Sequence, residues 1–128
     1  MRTAFLAVPL LLVAVASAPV SANPADVDAQ AFYTDAKALL SKGMRAAFDP
    51  RTKPRMAQLQ AAGEAARAAN AAATRKGQPL YCVPEAARKK GLNPKDSLAI
   101  LERVSPTERT GMSLRKAWLL GLTRTYPC

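Results

Sequence analysis

The sequence predicts a small all-α protein closed by one disulfide, and three observations carry that expectation. Apolar residues recur at three- and four-residue spacing through four main segments. No stretch alternates apolar and polar residues long enough to make a strand, and helix-start and helix-stop residues separate the segments. The last observation is a pair of cysteines, Cys82 and Cys128, in a chain that opens like an exported one.

Met1-Arg2 is followed by an apolar run from Ala4 to Val15 and then by small residues. That order is the layout of a secretory signal peptide, and its core falls short of the about 20 apolar residues that span a membrane. Ala16-Ser17-Ala18 fits the small-x-small cleavage rule but is followed by Pro19, a poor residue just after a cut. Val20-Ser21-Ala22 is followed by Asn23, so cleavage is expected after Ala22. Residues 1–22 are then a signal peptide, and residues 23–128 are a single helical domain delivered to the periplasm.

Asn23 to Asp28 reads as a frayed polar lead-in. From Asp28 to about Lys42 the residues Ala31, Phe32, Ala36, Leu39, Leu40 and Gly43 fall on one helical face. Gly43 ends or interrupts this helix, with Met44, Ala47 and Phe48 expected to add a last apolar contact. Asp49-Pro50-Arg51-Thr52-Lys53-Pro54 is a connector rich in helix breakers. The longest helix follows, with Thr52 expected as its cap, Pro54 in its first turn and Gly77 at its end. Ala62, Gly63, Ala66, Ala69 and Ala73 give it a smooth stripe, read as a packing seam.

Gln78 to Pro84 is expected to be an extended strap, because each proline pushes the residue before it out of the helical region. Pro84 starts a short helix over Glu85 to Lys90 that Gly91 closes. Asn93-Pro94 caps the next, which carries Leu98, Ile100, Leu101 and Val104 and stops before Ser105-Pro106. Ser105-Pro106-Thr107-Glu108 is a capping-box start, with a last helix expected to run on through Met112, Leu114, Trp118 and Leu122 to Tyr126-Pro127-Cys128. Trp118 is read as core.

Nineteen basic residues stand against nine acids, a net charge of +10; loss of Arg2 with the leader leaves 18 against 9, or +9. Such a field favours acidic partners and anionic surfaces. The basic groups are small, Arg75-Lys76 and Arg88-Lys89-Lys90, with no interleaved aromatics, so nucleic acid is not an expected partner. Both cysteines lie after the leader, and their pairing closes a span of 46 residues; an intermolecular bond and two free thiols are the alternatives. Histidine is absent from the whole chain. That removes the common general base, the Ser-His and Cys-His pairs and most catalytic zinc sites. No carboxylates pair at a spacing that implies acid–base work, so neither enzyme activity nor a cofactor or metal is expected.

The stretch from Gly77 to Cys128 resembles the Rap/Tai family of immunity proteins, which protect bacteria against type VI secretion amidase effectors. The resemblance rests on Gly77-Gln78-Pro79-Leu80-Tyr81-Cys82-Val83-Pro84, the amphipathic segment from Leu98 to Val104, the Ser105-Pro106 break and the Tyr126-Pro127-Cys128 ending. Ala61 to Asn70, with Gly63 and the Ala69-Asn70 pair, is similar to the small-residue helix that precedes these elements in the family. The resemblance implies a periplasmic protein that occludes the active-site groove of a peptidoglycan amidase, with a homodimer compatible with that role. Its contact residues are then expected on two exposed connectors, at Arg88, Lys89, Lys90, Asn93 and Lys95 and at Ser105, Thr107 and Arg109. A small helical periplasmic chaperone or stress protein, and a cationic module binding the envelope, are the competing expectations.

Overall fold

A computed structural model describes residues 23–128; the expected signal peptide lies outside them. The described chain is all helical, as expected: α1 (Ala29–Ser41), α2 (Thr52–Arg75), α3 (Glu85–Lys90), α4 (Pro94–Glu102), α5 (Pro106–Arg109) and α6 (Leu114–Thr125). Two 3-10 turns, Pro24–Asp26 and Gly43–Phe48, complete it.

Most helix ends follow from local chemistry. The Asn93 carboxamide oxygen accepts the Asp96 N–H at 2.8 Å and starts α4, with Pro94 in the first turn. Ser105 and Glu108 form the reciprocal capping box of α5. At the end of α2, Gly77 takes φ +76°, its N–H bonds the Thr74 carbonyl and the Gln78 N–H bonds the Ala73 carbonyl. This left-handed glycine termination closes the last turn of α2.

Four expectations are corrected. Thr52 does not cap α2 but is its first residue, with Arg51 in the cap position and the Thr52 hydroxyl donating to the Ala46 carbonyl. Asp49 explains the shift, because its carboxylate accepts the Arg51 N–H and turns the chain one residue earlier. Asn23 to Asp28 is not frayed: Asn23 caps a 3-10 turn, Ala25 is fully buried, and Asp28 pairs with Ser113 in an isolated bridge. The last helix is two helices. Gly111 at φ +79° breaks it, and Ser113 caps α6 afresh. The lead-in holds this break open, since Ala29 N–H bonds the Met112 carbonyl, Leu114 N–H bonds the Val27 carbonyl and Asp28 accepts the Gly111 N–H. Hydrogen bonds accepted from the Ala31 N–H first and then from the Gly111 N–H keep the Asp28 carboxyl below its usual range. Finally, Met44 and Phe48 make no closing contact and stand 92% and 91% exposed.

The core lies between α2, α4 and α6, with α1 laid across it. Leu101, Val104 and Leu114 are fully buried, each worth about 1.5–3 kcal/mol of removed apolar surface. Trp118 is core, as expected, at 4% exposure. The alanine stripe serves as a seam at Ala62 and Ala66, which are buried with Ala25, Ala117 and Trp118 in one cluster. Small side chains there let the α2 and α6 backbones approach. Gly121 permits a similar approach between α6 and α4. A Cβ at this position would stand 2.5 Å from the Ile100 carbonyl oxygen, an atom of the backbone that cannot rotate away. Gly121→Ala is therefore expected to destabilise the fold by about 1–3 kcal/mol, although alanine favours a helix over glycine by about 1 kcal/mol. Thermal denaturation followed by circular dichroism checks this, and an unchanged midpoint would show that α4 can retreat freely.

Cys82 and Cys128 are joined, with Cα atoms 4.9 Å apart. The bond reinforces a strap already hydrogen-bonded on both sides. Asn70 of α2 accepts the Leu80 and Tyr81 N–H groups at 2.8 and 3.2 Å and donates to the Tyr81 carbonyl at 3.0 Å. Opposite, the Cys82 N–H donates to the Tyr126 carbonyl at 2.8 Å. Tyr81 is buried beneath the strap, and that burial raises its phenol pKa.

Candidate functional site

Two surface features meet at the connector between α3 and α4. The first is a cationic protrusion. None of the six residues of α3 is buried, and a cleft of about 200 Å³ separates its C-terminal end from α4 and the end of α6. The protrusion is anchored at both ends. The disulfide and the Cys82–Tyr126 hydrogen bond hold the chain before it, and the Asn93 cap of α4 holds the chain after it. Gly91 at φ +71° makes the turn between. Arg88, Lys89, Lys90, Asn93 and Lys95 are all exposed here, as expected. Lys89 pairs with Glu85 at 3.2 Å and Lys90 approaches Asp96 at 3.8 Å, whereas Arg88 and Lys95 make no ion pair with described residues. Pairs this exposed contribute little to stability, so these cations stay available to a partner.

The second expected cluster does not join the first. Ser105, Thr107 and Arg109 lie beyond the other end of α4, whose nine residues span about 13 Å. Ser105 is engaged by its capping box, and Thr107 is exposed. Arg109 is a correction, because it is 3% exposed and faces inward. Its Nη1 donates to the Leu101 and Val104 carbonyls at 3.0 and 2.7 Å, and its Nε donates to Gln30 at 2.8 Å. Its guanidinium lies 3.9 Å from the centre of the Tyr33 ring. Arg109 is thus a brace joining α1, α4 and α5, with no face left for a partner. Tyr33 in turn donates to Glu102 at 2.9 Å, and burial, then that bond, raises its phenol pKa. Nearby, Glu108 bonds Arg124 and the Ser105 N–H, which hold its carboxyl down at about 2.

The other feature, absent from the sequence reading, is an open apolar groove of about 970 Å³ between α1, α2 and the start of α4. Phe32, Leu39, Leu98, Leu101 and Trp118 form its buried floor. Leu40, Met56 and Leu92 stand on its lips, 42%, 59% and 48% exposed. Leu92, Asn93 and Pro94 form one wall, so the groove borders the protrusion. At the opposite end Asp35 and Asp49 tie α1 to the start of α2. Arg55 bonds Asp35 at 2.6 Å, and Asp49 bonds Arg51 and Lys42 at 3.0 and 2.6 Å. These partners, Arg51 first, hold the Asp49 carboxyl well below the ordinary range.

Among the described residues no group of three or more histidine, cysteine or carboxylate side chains is placed to hold a metal ion. No described helix is long and apolar enough to cross a membrane. The chain matches no protein-family model, no curated protein and no solved structure.

Proposed function

We propose that this is a periplasmic immunity protein, which binds a peptidoglycan amidase effector of type VI secretion and blocks its active site. The observation that carries the reading is the exposed cationic protrusion of α3, anchored at its base by the Cys82–Cys128 disulfide. An inhibitor without catalytic groups gains affinity by presenting a surface that needs no ordering on binding. The strap and the chain end that the disulfide joins are the segments in which the sequence resembles the Rap/Tai immunity proteins. Surplus positive charge speeds encounter with an acidic partner. The leader and the disulfide both suit an oxidising compartment outside the cytoplasm. With no histidine anywhere in the chain, binding is the activity proposed and catalysis is not.

A helical chaperone is the second reading, favoured by one observation: the apolar groove with Met44 and Phe48 exposed beside it. The two separate on partner choice. An amidase gene next to this one, and retention of that amidase on the tagged protein through gel filtration at equal stoichiometry, are expected of an immunity protein. Retention of many unfolded clients, with no preference for the amidase, would sink that reading in favour of the chaperone.

A further inference from the structure

The apolar groove lies beside the protrusion, and occlusion of a catalytic cleft by the protrusion alone leaves it without a use. We propose that the groove docks an amphipathic helix of the partner protein, apolar along one stripe and acidic beside it. This rests on the reading of the chain as a protein-binding inhibitor and specifies which kind of element the partner offers.

Size argues for a helix. The α2 wall runs from Thr52 to Arg67, a length of about 22 Å at the rise of an α-helix. A helix about 10 Å wide, sunk to half its depth along that length, occupies about 860 Å³, close to the groove's own 970 Å³. A single extended acyl chain is much thinner and would leave most of that space wet. The lips suit a helix as well, since Leu40, Met56 and Leu92 can repack around side chains at i, i+3, i+4 and i+7.

Charge sets the chemistry of the occupant. Arg67 lines the groove, and Arg45, Lys53 and Lys95 each adjoin a lining residue. All four are exposed and make no ion pair with described residues; Glu64 is the sole carboxylate on the lining, and of those that adjoin it Asp35 and Asp96 are ion-paired with Arg55 and Lys90 while Glu102 accepts from Tyr33. Acidic residues flanking an apolar stripe would complement this rim. A second copy of the chain would bring the same cationic rim and the same surplus charge against it, which disfavours self-association.

The probe is a labelled synthetic 15-residue helix with leucine at i, i+3, i+4 and i+7 and glutamate beside the stripe, mixed with folded, disulfide-bonded residues 23–128. Trp118, the sole tryptophan, lies on the groove floor and reports occupancy by its fluorescence. The expected result is saturable binding with a change in Trp118 emission. Binding should weaken by at least about tenfold when the leucines are scrambled or the glutamates become lysines. Met56→Glu places a carboxylate on an exposed lip, so it should leave the fold intact and abolish binding. Equal binding of the scrambled peptide, indifference to Met56→Glu, or a dimer in sedimentation that Met56→Glu dissolves would each overturn the proposal. So would a Trp118 response to palmitate and none to the peptide. Amidase inhibition retained by Met56→Glu would also overturn it while leaving the inhibitor reading standing; no inhibition by the unaltered chain would instead remove that reading.

Discussion

Replacing Cys82 with serine is expected to lower the stability of the protein by about 2–4 kcal/mol. The bond closes 46 residues, and constraint of the unfolded chain over such a loop is worth roughly 4 kcal/mol at its upper end. In a domain of this size each kcal/mol moves the melting temperature by about 4–8 °C, so a fall of about 8–32 °C follows. The loss should not unfold the strap completely, because Asn70 and the Tyr126 carbonyl still hold it. The protrusion is a different matter, since its anchored base at Cys82 lies three residues before the start of α3 and loosens with the bond. Partner binding is therefore expected to weaken together with stability. Calorimetric melting and an affinity measurement on the same preparation check both; full affinity at reduced stability would make the bond purely structural.

Arg109→Met is expected to cost a further large amount, about 2–4 kcal/mol, through groups left behind rather than through a lost surface charge. Methionine keeps much of the buried stem but leaves the Val104 carbonyl and the Gln30 carboxamide without their donor, while the Leu101 carbonyl keeps only the Val104 N–H. The Leu101 carbonyl is in the last turn of α4 and Val104 lies two residues beyond its end, where a cation also complements the helix dipole. The stacking on Tyr33 disappears with the guanidinium. Arg109→Lys should restore less than half of the loss, because an ammonium carries the charge but has no planar fork to bridge three acceptors while lying on a ring. Urea denaturation at neutral pH distinguishes the cases, and near-native stability of Arg109→Met would show that water replaces the guanidinium without penalty.

What could be read from the sequence was local, and what could not was set by residues far apart in the chain. The caps at Asn93 and Ser105, the glycine ends at Gly77 and Gly91, the extended strap and the disulfide each follow from side chains within a few residues or from a single pairing. Arg109 sat in an exposed-looking capping segment, and only the distant Gln30 and Tyr33 turn it inward. The break at Gly111 resembled a tolerable glycine inside a helix until Val27 and Asp28, more than eighty residues earlier, supplied bonds to keep it open. Gly121 carries no sequence signal beyond being glycine, since its role depends on the backbone of Ile100. The cationic half of the candidate site was legible because charge and breakers mark an exposed turn. Its apolar half was not, because the groove is a gap between α1, α2 and α4, and spacing along one helix does not report how far away its neighbour lies.

The inhibitor reading is tested most directly by titrating folded residues 23–128 into a peptidoglycan-hydrolysis assay of the amidase encoded beside it. Hydrolysis is predicted to fall linearly to zero near one equivalent, and a charge-reversed protrusion, Lys89→Glu with Lys90→Glu, should need a clear excess. Undiminished hydrolysis at severalfold excess of the unaltered protein would contradict it.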